Sequence, residues 1–108
     1  MLSENLCKQA YNGITAPKGL TNDDKIPYIL LRELYREYKY KEIPEEIAKR
    51  LKDRIQNYPE LQPKERLSLL YHLYPSILGL LKGNNEPAYN DAIELFMEIA
   101  SFINCQNI

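Results

Sequence analysis

Apolar residues along this chain recur at intervals of three and four, and no stretch of useful length alternates with period two. That spacing predicts helices throughout. The first runs from about Glu4 to Asn12, with Ser3 placed to cap it and Gly13 to stop it. "GITAPKGLTNDD" follows as a loop rich in Gly, Pro and polar residues. A second helix, capped by Asp23 or Asn22 and carrying Pro27 in its first turn, runs to about Tyr40. At 100° per residue its Leu30, Leu34, Tyr38, Leu31, Tyr35 and Tyr28 form one arc about 160° wide. Arg32, Lys39 and Arg36 cluster just outside that arc, Glu33 and Glu37 lie further round, and Tyr40 projects from the opposite side near Ile29.

"KEIP" makes a short turn, and Pro44 opens a third helix where its missing N–H is harmless. Ile47, Ala48, Leu51, Ile55 and Tyr58 share a narrow stripe there, with every charge off it. Glu45 and Glu46 in the first turn and Lys52 and Arg54 near the end suit the helix dipole. After the break at "NYPELQP", Pro63 starts a fourth helix whose Leu67, Leu69, Leu70, Tyr71, Leu73, Tyr74, Ile77, Leu78, Leu80 and Leu81 cover roughly 200° of its circumference. This width predicts the central, most buried element. Pro75 must kink or break it, because it removes the bond to the Tyr71 carbonyl. Gly83 ends it in "KGNNEP". A last helix, from about Pro87 to Cys105, is expected to bury Ala88, Ala92, Leu95, Phe96, Ile99, Ala100, Phe102 and Ile103. The expected fold is therefore all-α: one domain of 108 residues, a small bundle of about five helices with a kinked central helix.

Composition narrows the class without naming a partner. A chain 44% hydrophobic and 27% charged is that of an ordinary globular protein, not a disordered one. No apolar run approaches the ~18 residues that span a bilayer, and "MLSENLCKQA" lacks the parts of a secretory signal, so the expected setting is cytoplasmic and away from membranes. The net charge of −1 offers no global field for polyanions, although the middle of the chain is weakly basic and the carboxyl end weakly acidic. Cys7 and Cys105 read as reduced thiols that pair only if the two ends of the chain meet.

Candidate chemistry is sparse. His72, the single histidine, has Ser68 and Ser76 at helical spacing, but acyl transfer also needs an orienting acid and an oxyanion hole. The pairs Glu33/Glu37 and Glu94/Glu98 read as solvated helix faces, with Glu33 able to reach Arg36 and Glu37 able to reach Lys41. "TNDDKIPYI" lacks the alternate oxygens, central Gly and terminal Glu of a calcium loop. With no phosphate-binding loop, dinucleotide fingerprint or metal-ligand spacing, neither an enzyme nor a cofactor is expected.

The remaining signal is a basic and aromatic stretch. Arg32, Arg36, Lys39 and Lys41 lie on the second helix, and Lys49, Arg50 and Lys52 on the third. "EEIAKRL" resembles the opening helix of bacterial helix-turn-helix domains, but the helix continues through "KDRIQNY" and the next one is too apolar for a groove. Nucleic acid, bound by the basic face of the second and third helices, is thus the second choice. The first is protein–protein contact. Nine tyrosines exceed what a small core holds, and tyrosine suits interfaces through its large apolar area and polar tip. The expected contact residues are Tyr40, Arg36, Arg32, Lys39 and Lys41, with Tyr11 and Tyr89 as further exposed aromatics, and the partner is another protein or a further copy of this chain.

"LRELYREYKYKEIPEEIAKRLKDRI" (31–55) resembles small uncharacterised proteins of Firmicutes prophages and mobile elements through Leu34, Tyr35, Tyr38, Lys39, Ile43, Glu46 and Ala48. The turn glycine usual in such sequences is replaced by Lys41. The layout is also similar to short helix–turn–helix oligomerisation modules. The resemblance implies a phage or mobile-element context, in which proteins of this size often bind a host protein, such as a defence nuclease that they inhibit.

Overall fold

The computed structural model describes the backbone of residues 2–41, 44–82 and 86–106, and their side chains except those of 22, 37–41, 86–88 and 104–106. The fold is all-α. Six α-helices and one 3-10 turn, close to the expected five helices, are present among the described residues: α1 (Glu4–Ala10), α2 (Asn22–Lys41), α3 (Glu45–Gln56), the turn Tyr58–Glu60, α4 (Pro63–His72), α5 (Tyr74–Leu81) and α6 (Glu86–Gln106). They fall into two compact units, Met1–Leu61 and Gln62–Ile108, where the sequence reads as one domain.

In the first unit α2 packs against both α1 and α3. Ser3 caps α1 as expected, its hydroxyl accepting from the Leu6 N–H at 3.2 Å. The helix ends through Gly13, whose N–H returns to the Ala10 carbonyl at 3.0 Å with φ near 80°. Gly13 is required twice over, because a Cβ there would also stand 3.2 Å from the Tyr35 ring. The loop beyond it is tied to α2 by the Tyr28 hydroxyl, which donates to the Ile14 carbonyl at 2.8 Å. Burial pushes that phenol above its ordinary pKa, with Arg32 acting in the opposite sense. Pro44 stands one residue before α3 instead of inside it.

Among the described residues the longest buried stretch is in α2, not in the fourth helix as the apolar width suggested. Every residue from Ile26 to Leu34 is buried, Ile29 included. The reason is packing on two sides: α1 and α3 together cover more of α2 than one apolar arc demands. α3 keeps to its narrow stripe, burying Ala48, Leu51 and Ile55 and leaving Ile47 exposed.

In the second unit the expected fourth helix is indeed broken. α4 stops at His72 and α5 starts at Tyr74, with Pro75 in its first turn and unable to donate to the Tyr71 carbonyl. Arg66 stands 5.8 Å from the Phe102 ring and Tyr74 meets the Phe96 ring edge-on at 5.9 Å. Sequence numbers rise on one side as they fall on the other, so the broken helix runs antiparallel to α6. Leu67, Leu69, Leu70, Leu73, Ile77 and Leu80 meet Ala92, Leu95, Ile99 and Phe102 in the core of this hairpin. The expectations for Gly83, for Glu42 and Ile43 of "KEIP", and for the side chains of Tyr38, Ala88 and Cys105 lie outside the described residues. Cys7 is a half-buried free thiol.

Candidate functional site

Among the residues expected to contact a partner, the structure separates rather than gathers. Arg36 is exposed and stands 3.6 Å from the Glu33 carboxylate. Arg32, placed by helical spacing just outside the apolar arc, is instead 7% exposed, its Nε 3.4 Å from Glu33 Oε1. The side chains of Lys39, Tyr40 and Lys41 lie outside the described residues.

Glu33 corrects a second expectation. It is 1% exposed and not on a solvated face. Burial raises its pKa, and the neighbouring Arg32 and Arg36 guanidiniums oppose that shift without cancelling it. Arg32 is thus withdrawn from the second helix's basic signal into a buried ion pair, which Arg36 reaches from the surface. Lys52 is similarly occupied, its ammonium 4.5 Å over the Tyr11 ring, which in turn packs edge-on against Tyr35 at 5.8 Å. Tyr11 is therefore half-buried between α1, α2 and α3 and is no free aromatic. Lys49, Arg50 and Arg54 remain exposed on α3, interleaved with exposed Glu45, Glu46 and Asp53.

Most of the exposed large apolar side chains lie elsewhere, in the α4–α5–α6 unit, with Ile14 and Ile47 exposed singly in the first. Tyr71 is 50% exposed, Tyr89 49% and Met97 67%, and Tyr74, Leu78, Ile93 and Ile103 are each 37–38% exposed. Along α6 these positions have an order. Ala92, Leu95, Ile99 and Phe102, spaced three and four apart, form the buried seam. Tyr89, Ile93, Phe96, Ala100 and Ile103 repeat the same 4-3-4-3 spacing one residue later, and these are exposed or half-buried. Met97 flanks them. Such spacing is the seam along which a further helix packs. The Tyr74–Phe96 contact sets α5 against its edge, and one turn on it brings Leu78 level with Ile93.

Between Tyr89 and Ile103 the stripe itself carries no charged residue. α5 carries no Asp, Glu, Lys, Arg or His between Leu73 and Leu81. Between Tyr89 and Ile103 the ionisable groups are Asp91, Glu94 and Glu98, which helical spacing places about 120° to 180° from the centre of the exposed stripe.

Comparison of the chain with protein-family models, curated proteins and solved structures finds no match.

The chemistry elsewhere is thin. Ser68 and His72 are both exposed on α4, with Ser76 half-buried on the next helix. Lys64, Leu67, Ser68 and Tyr71 line a shallow groove of about 370 Å³ that brings together one ammonium and two hydroxyls, with no carboxylate or imidazole among them. Among the described residues no three His, Cys, Asp or Glu side chains converge as metal ligands, and no helix is long and apolar enough to cross a membrane. Sequence reasoning placed Tyr89 at the surface but assigned Tyr71, Tyr74, Leu78, Ala100 and Ile103 to the core. The signal that separates them is the doubled seam of α6, which is wider than one neighbouring helix can cover.

Proposed function

We propose that this chain acts by binding another polypeptide through the apolar face of α5 and α6, and that it is not an enzyme. One observation carries the reading: an uncharged, exposed 4-3-4-3 seam beside a filled one on the same helix. A helix exposing that much apolar side chain along one line meets water unfavourably until a partner covers it. Tyr74 and Tyr89 add aromatic anchors of the kind that dominate protein interfaces. Residues 31–55, through their prophage-like layout, support a mobile-element setting and, in it, a host protein as the polypeptide bound.

The nucleic-acid reading has less support. It needs the basic face of α2 and α3, from which Arg32 is withdrawn by burial and Lys52 by its contact with Tyr11. Phosphate contacts are strongest at low salt, so a mixed nucleic-acid pool titrated at low ionic strength tests it directly.

The protein-contact reading is tested by substituting Met97, the most exposed member of the face, with lysine. Tagged wild-type chain, offered both untagged chain and a cell lysate, is expected to retain a protein that the Met97→Lys chain does not. Identical capture by the two forms overturns the reading.

A further inference from the structure

We infer that the polypeptide covering the α5–α6 face is a second copy of this chain, docked with α6 against α6 about a two-fold axis. The inference rests on the protein-contact reading above and narrows it to one occupant.

Three features of the face favour a copy of itself. The first is charge. A two-fold axis brings each surface onto its own image, so any ionised group near the axis meets its like. Here Asp91, Glu94 and Glu98 are turned to the other side of α6, and α5 has no Asp, Glu, Lys, Arg or His between Leu73 and Leu81. A face made for a charged partner would carry complementary charge at its rim. This one offers neutral groups: Asn90 and Ser101 are exposed beside the stripe.

The second feature is size. Apolar side chains present roughly 150–250 Å² each when free. At exposures of 37% to 67%, Tyr74, Leu78, Tyr89, Ile93, Met97 and Ile103 leave on the order of 500 Å² uncovered. A standard interface takes about 800 Å² from each partner, about 65% of it apolar in homodimers, which again is about 500 Å². The apolar part of the face is therefore as large as a stable two-fold contact needs, the polar remainder falling to groups at its rim.

The third is shape. Tyr89, Ile93, Phe96, Ala100 and Ile103 run about 21 Å along α6 in an unbroken heptad spacing. Larger side chains flank the small Ala100, which leaves a gap into which a side chain of an opposing helix fits. An antiparallel copy of α6 presents the same spacing in reverse, so its large residues meet this gap and its own alanine meets large residues here.

Sedimentation equilibrium over a wide concentration range tests this. The expected result is twice the chain mass at high concentration and the single chain mass on dilution. Met97→Lys and Ile93→Lys are each expected to hold the single mass throughout, with unchanged helical circular dichroism. Met97 is so exposed that its substitution leaves the core untouched, which keeps the test valid if the Ile93 variant folds poorly. A wild-type chain that remains monomeric up to about 1 mM, the weak end of the affinity scale, overturns the inference. So does a dimer of Met97→Lys as tight as the wild type, since the contact then lies elsewhere. If the wild type is monomeric yet captures a different protein through Met97, the protein-contact reading stands and only the second copy falls. If it is monomeric and captures nothing that depends on Met97, both fall.

Discussion

The two long helices, α2 with 20 residues and α6 with 21, both bury charge, Asp91 in α6 as deeply as Arg32 in α2, but they differ in what they do with apolar side chains. The middle of α2 buries the adjacent Arg32 and Glu33 between fully buried leucines. α6 exposes apolar groups: Met97, the most exposed of its large apolar residues, flanks an uncovered seam that includes Tyr89, Ile93 and Ile103. The difference teaches where each helix's environment comes from. α2 is enclosed by α1 and α3 within its own unit, so even residues off the apolar arc lose water. α6 has its broken partner α4–α5 on one seam, and the next seam along remains open.

The largest test of this contrast compares equivalent truncations on the two helices. Leu30→Ala in α2 removes a side chain that is fully enclosed and is expected to cost about 2–5 kcal/mol, read as a lower urea midpoint at constant slope. Ile93→Ala in α6, measured dilute, is expected to cost under about 1 kcal/mol, because its side chain already meets water. Equal losses would mean that the α6 seam is covered within the chain, and the contrast would collapse.

Much of the framework was legible in the sequence. Ser3, Gly13, Pro63 and Pro75 each act locally, through a cap, a left-handed turn, a helix start and a helix break, so neighbours in sequence sufficed to place them. The apolar arcs of α2 and α3 were also read correctly in their centres. What periodicity could not supply was the number of neighbours around each helix. Arg32 and Glu33 are off the α2 arc and are nevertheless buried, on a helix that packs against two others. Tyr71, Tyr74 and Leu78 belong to a roughly 200° apolar arc and are exposed, because the contacts of α4 and α5 with α6 occupy only part of that arc. Hydrophobic width predicts how much surface asks for cover, and tertiary packing decides how much receives it. The candidate face was for that reason hidden inside what read as core.

A smaller effect sharpens the α2 half of the comparison. Glu33 has its folded pKa raised above the usual glutamate value of 4.5, with burial as the main cause and Arg32 and Arg36 opposing it. A raised folded pKa means that the folded chain holds its proton longer than the unfolded one. The stability this contributes is fully present below pH 4.5 and is lost as pH rises through the raised value. Denaturation of the wild type and of Glu33→Gln across that window should therefore show the wild type losing stability relative to the variant as pH increases. If the difference runs the other way, the arginines outweigh burial and the cluster is a stabilising ion pair. The buried charge of α2 would then be a source of stability, not a cost that its apolar neighbours offset.

The smallest expected effect on folding belongs to Met97→Lys, and its smallness is the point. A side chain 67% exposed has little to lose, and a lysine at 97 lies three residues from Glu94, a spacing at which opposite charges attract weakly. At low concentration the variant's unfolding free energy should match the wild type within about 0.5 kcal/mol. At high concentration the two should part. Binding of one folded copy by another stabilises the folded state by mass action, so the wild-type melting temperature is expected to climb with concentration and that of Met97→Lys to stay level. Parallel curves would show that the open seam of α6 contributes nothing to the folded state, alone or paired. A separation confined to high concentration would show that the exposed apolar line, unlike the buried charges of α2, stabilises the protein only when another chain covers it.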